Sequence, residues 1–446
     1  MTIQESLARL SDQMKRMEER LQYIESTGSS RYRTRYEDDE DDGESAEEAA
    51  PLSTRSPPPQ SEPGQTGSNG IDIVRNDVST TAKTGGAEYR LTTDESGNIT
   101  YHGVTALNSG PDVMVSPTLL ATQGGGPAVP IPSLAESVSQ NQALAPIFQA
   151  LAASKHISVA PELGDALLSA FHCYEVFEIT EHAAFLRDMV LGGPCYSELL
   201  LMVLYASASR MIDGLTEEQK LAQGDLFVKL AKAYLWKEME GPTRITTIQS
   251  LLLLSARECA LGEVSQGWNH AGLAFRMIQD LGIHHDPESV SGVSNLSLEE
   301  QATRDRLFWA AFVWDKALSM ALGREPTLPP RPGGDPSVIP DFTNDDEPWT
   351  PFFVHPLNCP ASLQGYVYPQ ASRSTVFRLL SRLAVIAHDI MMSLYGTKSR
   401  DNVPHVRMAF VNKTQKRLNE LWSDIPAHLD PWPEGPSPPP HVFLLL

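Results

Sequence analysis

The chain has 446 residues, with 35 Lys and Arg against 56 Asp and Glu, for a formal net charge of −21. That length accommodates two or three domains at about 100–200 residues each, and the acidic balance argues against unaided nucleic-acid binding, which needs clustered Lys and Arg on the phosphates. The four cysteines, Cys173, Cys195, Cys259 and Cys359, are far apart and form no Cys-x-x-Cys pair, which argues against a disulfide scaffold or a zinc module and for a reducing compartment.

Residues 1–25 carry the sharpest periodicity. Ile3, Leu7, Leu10, Met14, Met17, Leu21 and Ile24 are separated by alternating steps of four and three, a heptad seam with Leu7, Met14 and Leu21 at a and the others at d. Arg20 falls at g and Glu25 at the following e, which suits an interchain ion pair in a parallel dimer. The alternative is a lone amphipathic helix docked on the body of the protein. The expectation is a coiled coil that makes a homodimer or heterodimer.

Residues 26–132 read as a disordered acidic and Pro/Gly/Ser-rich linker, because apolar residues are too sparse to offset chain entropy. Arg31, Arg33 and Arg35 precede Glu37-Asp38-Asp39-Glu40-Asp41-Asp42, with Glu44, Glu47 and Glu48 beyond. This run is either a solvated stretch or a contact for the transcription machinery, and the three Arg make at most a weak nuclear-localisation signal. Within the linker, residues 88–104 read as a β-hairpin around Asp94-Glu95-Ser96-Gly97-Asn98. Two strands are marginal alone, so the hairpin must pack on something. Gly124-Gly125-Gly126 has no preceding strand and no following Lys-Ser/Thr, so it is linker and not a phosphate loop.

From 133 to 446 the pattern is helical, with strand patterns essentially absent after Gly103. Helices are expected over 163–174, 198–209, 221–239, 246–260, 265–281, 298–322, 372–395 and 402–422. Gly282 is the expected stop of the 265–281 helix, since the residue past a helix often needs positive φ. Ser297 with Glu300 is a capping box opening the long 298–322 helix. A Pro-rich loop spans 326–369. The longest apolar stretches, 199–206 and 251–254, fall short of the ~20 residues a spanning helix needs, so no membrane contact is expected.

No catalytic constellation emerges. The sequence holds no Gly-x-Ser-x-Gly, His-Glu-x-x-His, phosphate-loop or dinucleotide motif, so no catalytic, cofactor-binding or metal residue is assigned. His284-His285-Asp286 reads as a helix-end cap rather than a metal site. Cys259 reads as a small buried hydrophobe and Trp309 and Trp314 as core; Arg304, Asp305 and Arg306 form either a solvated face or a buried network, with the face favoured for Asp305.

Three separated segments then show a resemblance. Thr247 to Glu258, including Gln249 and Arg257, is similar to a recurring helix of the fungal zinc-cluster transcription factors. Gly262 with Gly267-Trp268-Asn269-His270 through Arg276, and Asp280-Leu281-Gly282-Ile283-His284, resemble the next helix; Arg304-Asp305-Arg306-Leu307-Phe308-Trp309, Asp315 and Leu322-Gly323-Arg324 resemble the third. The likeness runs from about 163 to 422 and identifies the middle homology region, the xylanolytic activator-type regulatory domain.

It implies an all-helical, non-enzymatic module in a nuclear regulator of RNA polymerase II transcription. Members usually begin with a six-cysteine zinc cluster ahead of the coiled coil. This chain has no cysteine before Cys173, so zinc and direct DNA contact are expected only in a longer form. Glu325 intervenes where the family more often runs directly from Arg to Pro. The abrupt apolar end, His441 to Leu446, together with the missing cluster, reads as an incomplete gene model or a short form. The alternative is an effector-sensing interaction module or dominant-negative partner that never contacts DNA.

Overall fold

The computed structural model describes residues 89–93, 99–102, 133–293, 296–343, 345–351, 367–396, 404–429 and 439–444. The seam from Ile3 to Ile24, the acidic run and most of the linker lie outside the described residues. Those described are mostly helical, as the sequence pattern predicts, with a small sheet beside them.

A hairpin comes first: β1 (Tyr89–Thr93) pairs antiparallel with β2 (Ile99–His102), Leu91 facing Tyr101. Ten helices follow: α1 (Leu134–Ala152), α2 (Pro161–Tyr174), α3 (His182–Leu191), α4 (Glu198–Ala208), α5 (Glu217–Met239), α6 (Ile245–Ala260), α7 (Val264–Asp280), α8 (Leu298–Leu322), α9 (Arg373–Ile390) and α10 (Pro404–Ser423).

Local chemistry fixes the helix starts. Ser133 with Glu136 and Thr216 with Gln219 form reciprocal capping boxes at α1 and α5. The second of these starts α5 one turn before its apolar pattern begins. Ser197 and Ser297 cap α4 and α8 through their hydroxyls, Ser297 accepting from the Glu300 amide. Helix α8 ends on Gly323 at φ +63°, and Gly282 past α7 sits at φ +68°, a left-handed turn that glycine enters without a Cβ penalty. Beyond α9 the chain widens into a π-helical turn, Met391–Tyr395, where the sequence suggested an uninterrupted helix.

Helix α4 is apolar on all sides because α2, α5 and α6 surround it. Leu199 through Ala206 are all buried there. The main core adds Ile248, Leu251, Leu252 and Leu254 from α6, Ala274, Phe275 and Ile278 from α7, and Leu307, Phe308, Trp309 and Phe312 from α8. A smaller core gathers Val376, Leu379, Leu380 and Ile386 of α9 with Leu421, Leu429 and Val442.

Strand structure after Gly103 is a correction to the sequence reading. Val290–Ser291 forms a two-residue β3 that extends the hairpin, parallel to β1, giving the order β2-β1-β3. A pair of residues carries no period, so no pattern could announce it. Gly292, at φ +90°, follows, and a Cβ there would stand 2.7 Å from Leu91 O. The hairpin rests on the end of α7: the Tyr101 hydroxyl and His285 Nε2 share a 2.6 Å hydrogen bond, and a Cβ on Gly282 would meet Tyr101 Cδ2 at 2.5 Å.

The closest helix pairing is α6 with α7, and it depends on Gly267. A Cβ there would overlap Cys259 Sγ and stand 2.9 Å from Ser255 O, so the two backbones approach only because that carbon is missing. Gly272 of the same helix has open space around it. Gly267→Ala is therefore expected to destabilise the protein by about 1–3 kcal/mol through overpacking. Gly272→Ala should be neutral or gain up to ~1 kcal/mol from helix propensity. Thermal melts of the two variants side by side check the contrast.

Candidate functional site

The residues singled out by resemblance are mostly braces. Asp315 is fully buried and accepts from the amides of Thr327 (3.1 and 3.0 Å) and Leu328 (2.8 Å). Its neighbour Lys316 is 1% exposed. Lys316 donates to Asp315 at 2.6 Å and to Leu328 O at 2.5 Å, and lies 3.9 Å from the Phe312 ring centroid. The pair thus pins the chain that returns after Gly323. Arg324, just past that glycine, stacks 4.5 Å over the Trp268 ring.

Nearer the start of α8, Arg304 donates to Leu281 O at 3.0 Å, while Arg331 donates to Ile283 O and Asp305 Oδ1, each at 2.6 Å, with its guanidinium 4.1 Å over Phe308. Two buried guanidinium groups thereby satisfy carbonyls of the turn that follows α7. Asp305 belongs to this network, not to a solvated face, because the Pro-rich loop brings Arg331 back onto it. Trp309 is core, whereas Trp314 is only partly buried and donates to Ser255 Oγ at 2.9 Å. Arg276 is exposed and reaches only Gln279. His284 lies just past the end of α7, where burial and then His285 hold its pKa down at about 4, so it stays neutral rather than serving as a charged helix-end cap.

Gln249 and Arg257, both on α6, face a different place: the segment 175–181 between α2 and α3. Gln249 Nε2 donates to Ile179 O at 2.7 Å, and the Phe177 ring packs edge-on against Trp314 with centroids 5.1 Å apart. From the other side, Arg373 at the start of α9 donates to His172 O (2.9 and 2.6 Å) and Glu175 O (3.0 Å), with its Nε 3.2 Å from Glu178 Oε1. Glu178 has φ +50°, a left-handed conformation that costs a non-glycine residue about 1–3 kcal/mol and persists only when its surroundings hold it.

Two cavities flank this segment. A polar one of about 300 Å³ is lined by His172, Glu178, Glu181, His182, Trp349 and Arg373. His172 and His182 stack there with centroids 4.2 Å apart. Burial, then the neighbouring His182 and Arg373, holds His172 well below its ordinary pKa, and burial with Arg373 lowers His182 to about 4. Burial raises Glu175, Glu178 and Glu181, while Arg306 counteracts the rise at Glu178 and Glu181.

The second cavity, about 420 Å³, lies between the end of α2, residues 175–179, the end of α4 and the outer turns of α6. Its walls are largely apolar. Glu175, Glu178, His172, His182 and Arg373 escape a motif search because their positions span some 200 residues. The available signal was the pair Glu175 and Glu178 among Tyr174, Val176, Phe177 and Ile179, two acids in an apolar connector.

Two outcomes follow from these charges. Asp315→Ala leaves Lys316 buried without its acid and is expected to cost about 3–5 kcal/mol, read from the urea midpoint. Asp315→Asn, which keeps an acceptor for the Thr327 and Leu328 amides, should fall between. The second concerns pH. Seven histidines, at 172, 182, 270, 284, 285, 388 and 441, have pKa values lowered by burial. The unfolded chain protonates these below about 6.5 while the fold keeps them neutral, so their stability is lost as pH falls from there toward 4. Glu175, Glu178 and Glu181, raised in the fold, act with the opposite sign but are fewer. The melting temperature at about pH 5.5 should lie several degrees below that at about pH 7.5; a flat or rising profile contradicts this balance.

A family model described as the fungal specific transcription factor domain matches residues 170–399, more than half of the chain. The chain is 29% identical over 276 residues to the nitrogen assimilation transcription factor nit-4 of Neurospora crassa, covering 58% of this chain and 24% of that protein. Against an uncharacterized transcriptional regulatory protein of Schizosaccharomyces pombe it is 28% identical over 271 residues, covering 59% and 42%. Against the nitrogen assimilation transcription factor nirA of Emericella nidulans the values are 27% over 286 residues, covering 61% and 31%. The chain thus spans less than half the length of these curated relatives. No solved structure matches it. With buried braces at the positions that carried the resemblance and a family match that runs from α2 to beyond α9, the chain belongs to the fungal specific transcription factor domain family.

Proposed function

We propose that the chain regulates RNA polymerase II transcription in the nucleus, through its helical domain and without catalysis. The observation that carries this is the family match over residues 170–399, which spans the main core and the segment 175–181. The chemistry of the family-like residues supports it. Gln249, Arg304 and Asp315 direct their polar groups at backbone amides and carbonyls. That is what a rigid regulatory scaffold asks for, and it leaves them no reacting partner.

The cysteines do not fit a binuclear zinc cluster. Cys173, Cys195 and Cys259 lie on separate elements and form no disulfide, and among the described residues no three His, Cys, Asp or Glu side chains gather as a metal site. The chain itself needs no cofactor in this reading. DNA is reached indirectly, through a partner or in a longer form that supplies its own head. Residues 1–25 pair two copies, or one copy with a related chain, as a parallel coiled coil. The acidic run at 37–48 contacts the transcription machinery.

One experiment addresses both parts. The full chain is fused to a heterologous monomeric DNA-binding head that reads a palindromic site ahead of a reporter gene. Reporter output should change several-fold relative to the head alone, and Leu7→Asp with Leu21→Asp should return site occupancy to that of the monomeric head. Output equal to the head alone overturns the transcriptional reading. Occupancy that survives the seam substitutions overturns the pairing.

A further inference from the structure

The two cavities beside segment 175–181 differ in their walls, one polar and one largely apolar. In the polar one, Arg373 serves His172 O and Glu175 O and ion-pairs with Glu178, and its Nε, like that of Arg257, makes no hydrogen bond. The apolar one is walled by Phe171, Tyr174, Phe177 and Leu253, and two polar atoms on its lining residues have no hydrogen-bond partner: Ser207 Oγ and Arg257 Nε, both buried. The Arg257 side chain is 4% exposed and spends its far end on Asp225, 2.6 Å away. Arg210 adds a second guanidinium at the exposed mouth.

The carboxylates along the wall offer these donors nothing. Glu175 has one oxygen on the Thr180 amide (2.9 Å) and the other on its hydroxyl (2.8 Å), and Glu217 stands in solvent beside Lys220. The cavity therefore combines aromatic and aliphatic walls with two buried polar atoms that lack partners. A buried donor left unpaired is costly, and a charged acceptor satisfies it best. The volume of about 420 Å³ is within the range of small-molecule sites.

We propose that this cavity binds a small carboxylic acid with an apolar body. Its carboxylate accepts from Ser207 Oγ and Arg257 Nε, and its body lies among Phe171, Tyr174 and Phe177. Such a ligand touches segment 175–181 at Glu175 and Phe177, and three residues from Glu175 along the same backbone Glu178 sits on Arg373 in the polar cavity. Occupancy is thus felt directly by the connection between α2 and α3.

The test is calorimetric titration of the full chain with 3-phenylpropanoate, 4-methylpentanoate and octanoate, with 3-phenylpropanol as the neutral control. At least one acid should bind saturably, and the alcohol about tenfold more weakly than 3-phenylpropanoate or not at all. Ser207→Ala removes a hydroxyl that bonds nothing in the free protein, so the fold should be kept while acid affinity falls about five- to tenfold. Ala256→Leu fills the cavity without removing a polar contact and should abolish binding, with a thermal melt confirming that it folds. Failure of all three acids overturns the proposal, as does binding unchanged in both variants or an alcohol that binds as tightly as its acid. As an effector site the cavity rests on the regulatory reading, but calorimetry does not read transcription, so the two fail separately.

Discussion

The guanidinium of Arg373 is the tie on which the neighbourhood of the two cavities depends. It closes off the α2 carbonyls at His172 and Glu175, pairs with Glu178 and thereby holds a non-glycine residue in the left-handed region. A lysine could not replace it, because one ammonium lacks the planar fork that serves three acceptors in different directions. Its own position is fixed by the start of α9. There Asp345 accepts the Ser374 and Thr375 amides at 2.8 Å each, and His441 bonds Ala371 O at 2.6 Å. The long Pro-rich loop, the smaller core and the connector between α2 and α3 therefore meet at one side chain.

The same logic governs α8. Its buried positions include Arg304, Arg306, Asp315 and Lys316 beside Phe308, Trp309 and Phe312, so it has no single apolar stripe. Buried charges of this kind contribute little net stability when paired and cost several kcal/mol, about 3–5, when one partner is removed. They specify which loop lies where. Asp315 accepts only if Thr327 and Leu328 are in place, and Arg331 reaches Ile283 O only if the loop returns over α7.

Helices α6 to α8 were the most legible part of the sequence, since capping Ser297, stop residues Gly282 and Gly323 and a clear apolar period all agree. Helix α5 began a turn early because Thr216 and Gln219 cap it before its apolar pattern starts. Segment 175–181 was illegible as a site. Its left-handed residue is Glu178 rather than glycine, and what holds it comes from about 200 residues downstream. Strand β3 was illegible because it is defined by its partner. The charged residues 304–306 read as either a solvated face or a buried network, with Asp305 on the face, for a charged triplet on a helix gives no sign that a distant Arg331 will cover it. The heptad seam, the plainest pattern in the sequence, falls outside the described residues.

The hairpin gives the domain an anchorage far from its sequence neighbours. Tyr101 and His285 are separated by 184 positions yet share a hydrogen bond, and β3 clips onto β1 beside them. The hairpin is thus seated just past the end of α7, although the helical body begins in sequence only at Ser133. Two residues of parallel pairing and one phenol hold that junction. The turn that ends α7 is thus covered by a segment from the other end of the described chain, so a change at Tyr101 would reach His285 and Gly282 together.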